Sequence, residues 1–261
     1  MKVRDVVNFM EKWAGSHLAD DWDNVGLMAG SLERDVTGVV IALDVTEETA
    51  KFAVENGANT IISHHPVIFR PIRSVSEGSA QGNLLSFIIK NDLNVYSAHT
   101  NLDVAPGGVS DALANTLGLV ETEVLVLAEE DGFGYGRIGK IENKLSVKDL
   151  TSSIREKLGT ETIRVYGNTD TEIQIVAVCG GAGGDFIMDA IQAGADAYIT
   201  GDVKYHEGQM AVEGGLVLVD ATHYYTEKPV LNVIEDRLIK YFGDELNTYV
   251  YDKSSFHFEE Y

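Results

Sequence analysis

Cysteine is nearly absent from this chain: Cys179 is the single one among 261 residues. One thiol excludes an intrachain disulfide and any zinc site built on several thiolates. Cations are scarce as well, with 20 Lys and Arg against 41 Asp and Glu and a formal net charge of −21. Nucleic-acid binding needs a basic footprint, so nucleic acid is not an expected partner. No apolar run approaches the ~20 residues of a membrane span, so no membrane association is expected. The opening Met1-Lys2-Val3-Arg4-Asp5 lacks the apolar core of a signal peptide, and a cytoplasmic location is expected. What remains is 44% hydrophobic and 23% charged, the balance of an ordinary globular protein with ample core.

Chemistry concentrates in the histidines. Thr60-Ile61-Ile62 reads as a buried strand that stops at Ser63-His64-His65-Pro66, because proline has no N–H and restricts the residue before it. Ligands of open α/β sheets bind at the carboxyl ends of strands. Neighbours on a regular strand face opposite ways, so the two rings converge only at an irregular strand end. Two imidazoles so placed suit a metal, and a two-metal site in particular.

The surrounding pattern is α/β. A helical apolar period runs over Val3–Trp13, and an acidic, glycine-containing loop follows in which Trp22 reads as a packed anchor. Val39–Asp44 is a strand, and Thr46-Glu47-Glu48 opens a helix that Asn56-Gly57 closes. With the histidine strand this makes a β-α-β unit and predicts parallel strands. A surface loop carrying Arg70 and Arg73 precedes a helix over Asn83–Asn91 and a strand over Asn94–Ala98. That strand ends in His99-Thr100-Asn101-Leu102-Asp103. Helices are also predicted over Gly107–Leu119 and Ser146–Leu158, with a glycine-rich hairpin or connection at Gly132–Gly139.

The second half repeats the first in outline. Strand Ile175–Cys179 leads through Gly180–Gly184 into a helix, and a strand ending in Thr200-Gly201-Asp202 follows. A further strand ends in His223-Tyr224-Tyr225-Thr226-Glu227. Both His99–Asp103 and His223–Glu227 read as a strand end offering His, three residues, then a carboxylate. The expectation is an α/β protein of two related domains, an internal duplication, over residues 1–120 and 121–261. The C-terminal helix and strand are expected to return to the first half, and a metal site to lie in the cleft between the halves. The candidate ligands are His64, His65, Asp103, His223 and Glu227, with Asp103 or Glu227 bridging two ions. His99 is the candidate general acid or base. Imidazole and carboxylate without thiolate suit Zn, Fe, Mn, Co or Ni. Asp202 and His206 are candidates to support the ligands. Arg70, Arg73, Arg137 and Lys204 are candidates to attract an anionic substrate to this acidic chain. The Gly180–Gly184 loop reads as a packing turn.

The order Trp22-Asp23-Asn24-Val25-Gly26-Leu27, Ser63-His64-His65-Pro66, His99–Asp103, Cys179-Gly180-Gly181-Ala182-Gly183, Thr200-Gly201-Asp202 and His223–Glu227 resembles the NIF-three-like family, also called GTP cyclohydrolase I type 2. The resemblance spans nearly the whole chain. It implies the NIF-three-like fold, two metal ions on the five residues above, and a ring-shaped homohexamer enclosing a cavity. Val120–Asn143 is too short for the extra domain that some members carry. The implied activity is metal-dependent hydrolysis of a small molecule, with a nucleotide as the candidate substrate, in the manner of a GTP cyclohydrolase. That reaction opens the guanine imidazole ring at C8 and releases formate. The alternative is a non-catalytic metal-binding ring, serving as a metal store, an insertion factor or an interaction scaffold.

Overall fold

Strands buried on both faces need helices on both sides, and three short runs in the first hundred residues meet that condition. The computed structural model describes residues 1–128 and 132–254. Its chain begins with α1 (Val3–Trp13), which turns Val3, Val6 and Met10 inward, and continues through β1 (Gly26–Ala29) and β2 (Val39–Ala42). Next come α2 (Glu47–Glu55), β3 (Thr60–Ser63), α3 (Ala80–Lys90) and β4 (Asn94–Ser97). Every residue of β2, β3 and β4 is buried. Thr46 caps α2 by accepting the Thr49 amide at 3.2 Å. Ser79 caps α3 through the Gly82 amide, so that helix starts at Ala80 rather than at the expected Asn83.

The chain then forms α4 (Thr100–Val104), α5 (Val109–Leu117), β5 (Val120–Leu127), β6 (Gly134–Ser146) and α6 (Val147–Leu158). It continues through β7 (Arg164–Tyr166), β8 (Glu172–Val178), α7 (Ile187–Gln192), β9 (Ala197–Thr200), α8 (Tyr205–Glu213) and β10 (Val217–Asp220). It closes with α9 (His223–Glu227), α10 (Pro229–Phe242) and β11 (Thr248–Tyr251). The expected glycine-rich hairpin is β5–β6, whose strands pair antiparallel from Leu127↔Gly134 onward.

Two compact units result: Met1–Leu102 with Leu231–Tyr261, and Asp103–Val230. These bounds differ from the division into 1–120 and 121–261. The chain passes between units inside α4 and again inside α10. Strand β11 then joins the first sheet, pairing parallel with β2 from Thr248↔Val39 to Tyr251↔Ala42. The expected second half thus keeps its residues 121–230 in the second unit, and its residues 255–261 lie outside the described residues.

The first sheet has the order β1-β4-β3-β2-β11, and the second β5-β6-β8-β9-β10-β7. In the first, β2, β3 and β4 run parallel and β1 lies antiparallel on β4. In the second, β8, β9 and β10 run parallel and β7 lies antiparallel on β10. Each unit therefore carries helix, antiparallel strand, three parallel strands with helical crossovers, and a five-residue helix, in that order. The first core gathers Val40, Ile61, Val95, Leu85 and Ile88. In the second, Ile154, Val176, Ile199 and Val219 lie in one cluster, and Ala177, Tyr198 and Leu218 in the other. Among the described residues no helix is long and apolar enough to cross a membrane.

Arg137 does not lie in a loop open to an anionic substrate. It is 4% exposed on β6, and its Nε and Nη2 each donate to the Asp111 carboxylate at 2.7 Å. Its Nη1 donates to the carbonyls of Gly134 and Gly136. A guanidinium with its donors so engaged holds the hairpin to α5. Truncating one partner of such a pair strands the other charge. Arg137→Ala should therefore lower unfolding stability by about 3 kcal/mol, measured by urea titration.

Candidate metal centre

In the first unit, the carboxyl ends of three parallel strands supply the site. Strand β3 stops at Ser63 and the chain bends at His64 and His65, so the rings do not face opposite ways. Their centroids lie 5.1 Å apart at 42°. The bend is pinned by the His65 amide on the Leu43 carbonyl and by the Ser63 hydroxyl on the His65 carbonyl. His99, just past β4, brings its ring to 5.2 Å from His64 and 5.7 Å from His65. One nitrogen from each of His64, His65 and His99 falls within 4.8 Å of the others. His99, expected as a separate acid or base, thus stands with the two candidate ligands.

Each ring is fixed through Nδ1. For His64, fully buried, the partner is the Ala98 carbonyl at 2.9 Å. For His65 it is the Asp44 carboxylate at 2.8 Å, and for His99 the Asp23 carboxylate at 2.9 Å. A carbonyl or carboxylate there requires a proton on Nδ1, so Nε2 carries the lone pair a metal needs. The three imidazoles fit a divalent ion in donor type, tautomer and spacing.

Asp23 and Asp44 had no assigned role in the sequence, although each had a signal. Asp44 ends the strand parallel to the histidine strand, and Asp23 stands in the Trp22–Leu27 motif. Burial drives the Asp23 carboxyl upward, but hydrogen bonds from His99 and from the Thr100 amide and hydroxyl outweigh it. They hold the group well below the usual carboxylate range. Trp22 is 60% exposed, edge-on to His99 and Phe69, and so is not the packed anchor expected.

The second unit presents its own set at the same ends of its strands. His223 and Glu227 lie at i and i+4 of α9, on one helical face, with His223 Nε2 3.0 Å from Glu227 Oε1. The spacing read as a strand end and three residues is thus one helical turn. Asp202, just past β9, accepts from His223 Nδ1 at 2.9 Å. His206 stands on α8 with its ring edge-on to Tyr205. Lys204 at the head of α8 is paired with Glu207 at 2.9 Å. Thr222, immediately before His223, has φ 67, a costly conformation for a β-branched residue that sets the direction of α9.

The Gly180–Gly184 loop packs as a turn. Gly181 donates to the Thr226 hydroxyl and Gly183 to that of Thr200. Gly181 has φ 69, and a Cβ there would lie 2.3 Å from Glu227 Oε1, so only glycine leaves the carboxylate its place. Asp103 is half-buried in α4. Burial first, then the Asp103 charge, pushes the Cys179 thiol up to about 12, which keeps it protonated and inert.

A family model described as DUF34/NIF3 (NGG1p interacting factor 3) matches residues 1–255. The chain belongs to the DUF34/NIF3 family. It is 37% identical over 239 residues to a protein of Clostridium perfringens named GTP cyclohydrolase 1 type 2 homolog, covering 91% of each chain. The crystal structure of a Bacillus cereus protein related to NIF3 matches with a TM-score of 0.91 at 27% identity, over 100% of this chain and 98% of that one. A Staphylococcus aureus protein described as hypothetical also matches with a TM-score of 0.91 at 27% identity, over 99% of each chain. The mixed α/β architecture expected from the sequence is that of these NIF3 relatives.

The His223 pair gives the metal-free protein a pH signature. Burial opposes the charged imidazolium, but hydrogen bonds to Asp202 and Glu227 prevail and raise its pKa from 6.5 to about 10. Its stabilisation is then complete below 6.5 and lost as pH rises through about 10. In chelator, the stability gap between wild type and His223→Gln should be widest near neutral pH or below. It should close above about 10, as urea unfolding at a series of pH values would show. Metal at Nε2 must displace that proton, so its affinity should rise with pH over the same window.

Proposed function

We propose that this DUF34/NIF3 protein is a two-metal-dependent hydrolase. The observation that carries the reading is the convergence of His64 and His65 nitrogens, each ring tied down through Nδ1, with a His99 nitrogen within 4.8 Å of both. Structural metal sites and hydrolytic ones share donors. A proton-transfer imidazole beside the donors, with His99 18% exposed against Trp22 and Phe69, suits the hydrolytic kind. His64, His65, Asp103, His223 and Glu227 would hold two divalent ions among Zn, Fe, Mn, Co or Ni. The matching element order of the two units supports an internal duplication in which each contributes one share of the ligands. Bound metal supplies Lewis acidity and lowers the pKa of water at neutral pH.

The protein's own groups account for the rest. Asp44 and Asp23 keep His65 and His99 in the tautomer with a free Nε2. Asp202 does the same for His223. Asp23 stays ionised and accepts the His99 Nδ1 proton, so Nε2 is the atom of His99 that would take a proton and return it to a leaving group. Purine-nucleotide ring opening is the specific activity we propose, on the name that the curated relatives carry.

Glu227→Ala should lose at least one of two bound ions by elemental analysis. Retention of both would remove Glu227 from the ligand set. His99→Ala should keep both ions yet lower turnover by about 100-fold or more. A fall in metal content instead would make His99 a ligand. Full activity after complete metal removal would end the metal-dependent reading, and no turnover of nucleotides or esters with both ions bound would favour the non-catalytic metal-binding ring.

We propose also that the protein assembles as a closed homohexamer. Edge strand β5 supports assembly, since one side of its backbone is unpaired within the sheet and Val120 and Leu127 at its two ends are 49% and 72% exposed, an edge of the kind that proteins pair or hide. Light scattering at moderate salt, where repulsion between acidic protomers is screened, should give six times the chain mass of 28.4 kDa. A monomer mass would refute it.

A further inference from the structure

We infer that the loop after His65 builds a binding subsite for a phosphate-type oxyanion, centred on Arg70 and Arg73. A cavity of about 570 Å³ opens in the first unit, within the size range of small-molecule sites. Both arginines line it, together with Ser74, Ser79, Gln81 and Phe69, and among the described residues no carboxylate does.

That lining departs from the rest of the chain. Acidic residues outnumber basic ones by 41 to 20. Lys2, Arg34, Lys51, Lys140 and Arg137 each pair with a carboxylate, whereas exposed cations such as Lys12 and Arg155 stand outside any ion pair among the described residues without sharing a cavity wall. Among the described residues, neither Arg70 nor Arg73 has an ion-pair partner. Two unneutralised guanidiniums on one cavity wall repel each other unless an anion joins them. Their planar donor forks match the oxygens of a phosphate.

The arrangement is held by the sequence between the charges. Val67, Ile68 and Ile72 pack on the first core, which leaves the exposed Arg70 and Arg73 on the outer side of the loop. Asn24 Nδ2 donates to the Ile68 carbonyl at 2.5 Å, and Pro66 and Pro71 restrict the backbone on either side. Ser79, the cap of α3, lines the cavity too, so hydroxyl donors and the positive end of an eleven-residue helix reinforce the guanidiniums. Phe69 belongs both to this wall and to the surroundings of His99, 6.3 Å between ring centroids. The subsite would thus hold the anionic end of a substrate whose reacting part reaches the histidines. In this it rests on the proposed hydrolase reading.

The anion can be free phosphate or the phosphate of an ester, and calorimetry can tell them apart. Inorganic phosphate and phenyl phosphate are titrated at constant ionic strength into wild type, Arg70→Ala with Arg73→Ala, and His65→Ala, with metal content measured on each sample. The double arginine variant should lose at least tenfold in affinity for both probes with its metal unchanged. His65→Ala should lose metal but keep phosphate binding. Tighter binding of phenyl phosphate would mark an ester as the natural ligand, and equal binding a free anion. If the double variant binds both probes within twofold of wild type, or if only His65→Ala loses them, the arginine subsite does not exist. A His65→Ala protein that keeps all its metal would instead refute the ligand reading and leave the subsite standing.

Discussion

The candidate site depends on strand register. In the first unit β2, β3 and β4 align without offset, Ala42 opposite Ser63 and Ser63 opposite Ser97. The residues just beyond those ends are then level: Asp44, His64 and His65, Ala98 and His99. Parallel strands carry one side-chain alternation, and a slip of one residue would turn a whole strand face over. Burial of every residue in the three strands prevents that slip. The backbone ladder extends past the strands through the His65 amide on Leu43 and the Ala98 amide on Ser63. Core packing therefore sets the spacing of the imidazoles. The second sheet repeats the device, with Val178 opposite Ile199 and Thr200 opposite Asp220.

Electrostatics then selects protonation. A chain of net charge −21 has carboxylates to spare, and several stand behind imidazoles at the candidate ligands. Asp44, Asp23 and Asp202 each receive a ring Nδ1 proton. In the metal-free protein Glu227 also draws a proton onto the other side of His223. Within that surplus Arg137 and the Arg70–Arg73 loop divide clearly. Arg137 is fully engaged by Asp111 and two carbonyls, whereas the loop arginines face a cavity without acids.

Much of this was legible locally. The Val3–Trp13 helix, the Thr46 cap, the strand before His64 and the hairpin at Gly134 each follow from a short-range rule of period, cap or turn. Other features turned on contacts distant in sequence. The first unit ends at Leu102 rather than at residue 120, while β11 pairs with β2, some two hundred residues away. Arg137 looked like a loop cation until β6 brought it to Asp111. Trp22 looked like a core anchor because indole usually buries, yet here it stands exposed over His99. The His223–Glu227 spacing was a missed local signal, because His and Glu four apart suit a helical turn as well as a strand end.

By itself the sequence determined the α/β class, the β-α-β order around the histidine strand, and the imidazoles at and just beyond the strand ends. These depend on periodicity, caps and proline, which act over a few residues. Only the tertiary structure decided which nitrogens converge, which carboxylate holds which ring, and which arginines remain unpaired. Those outcomes follow from sheet register and from packing between segments tens to hundreds of residues apart. No local pattern encodes such distances.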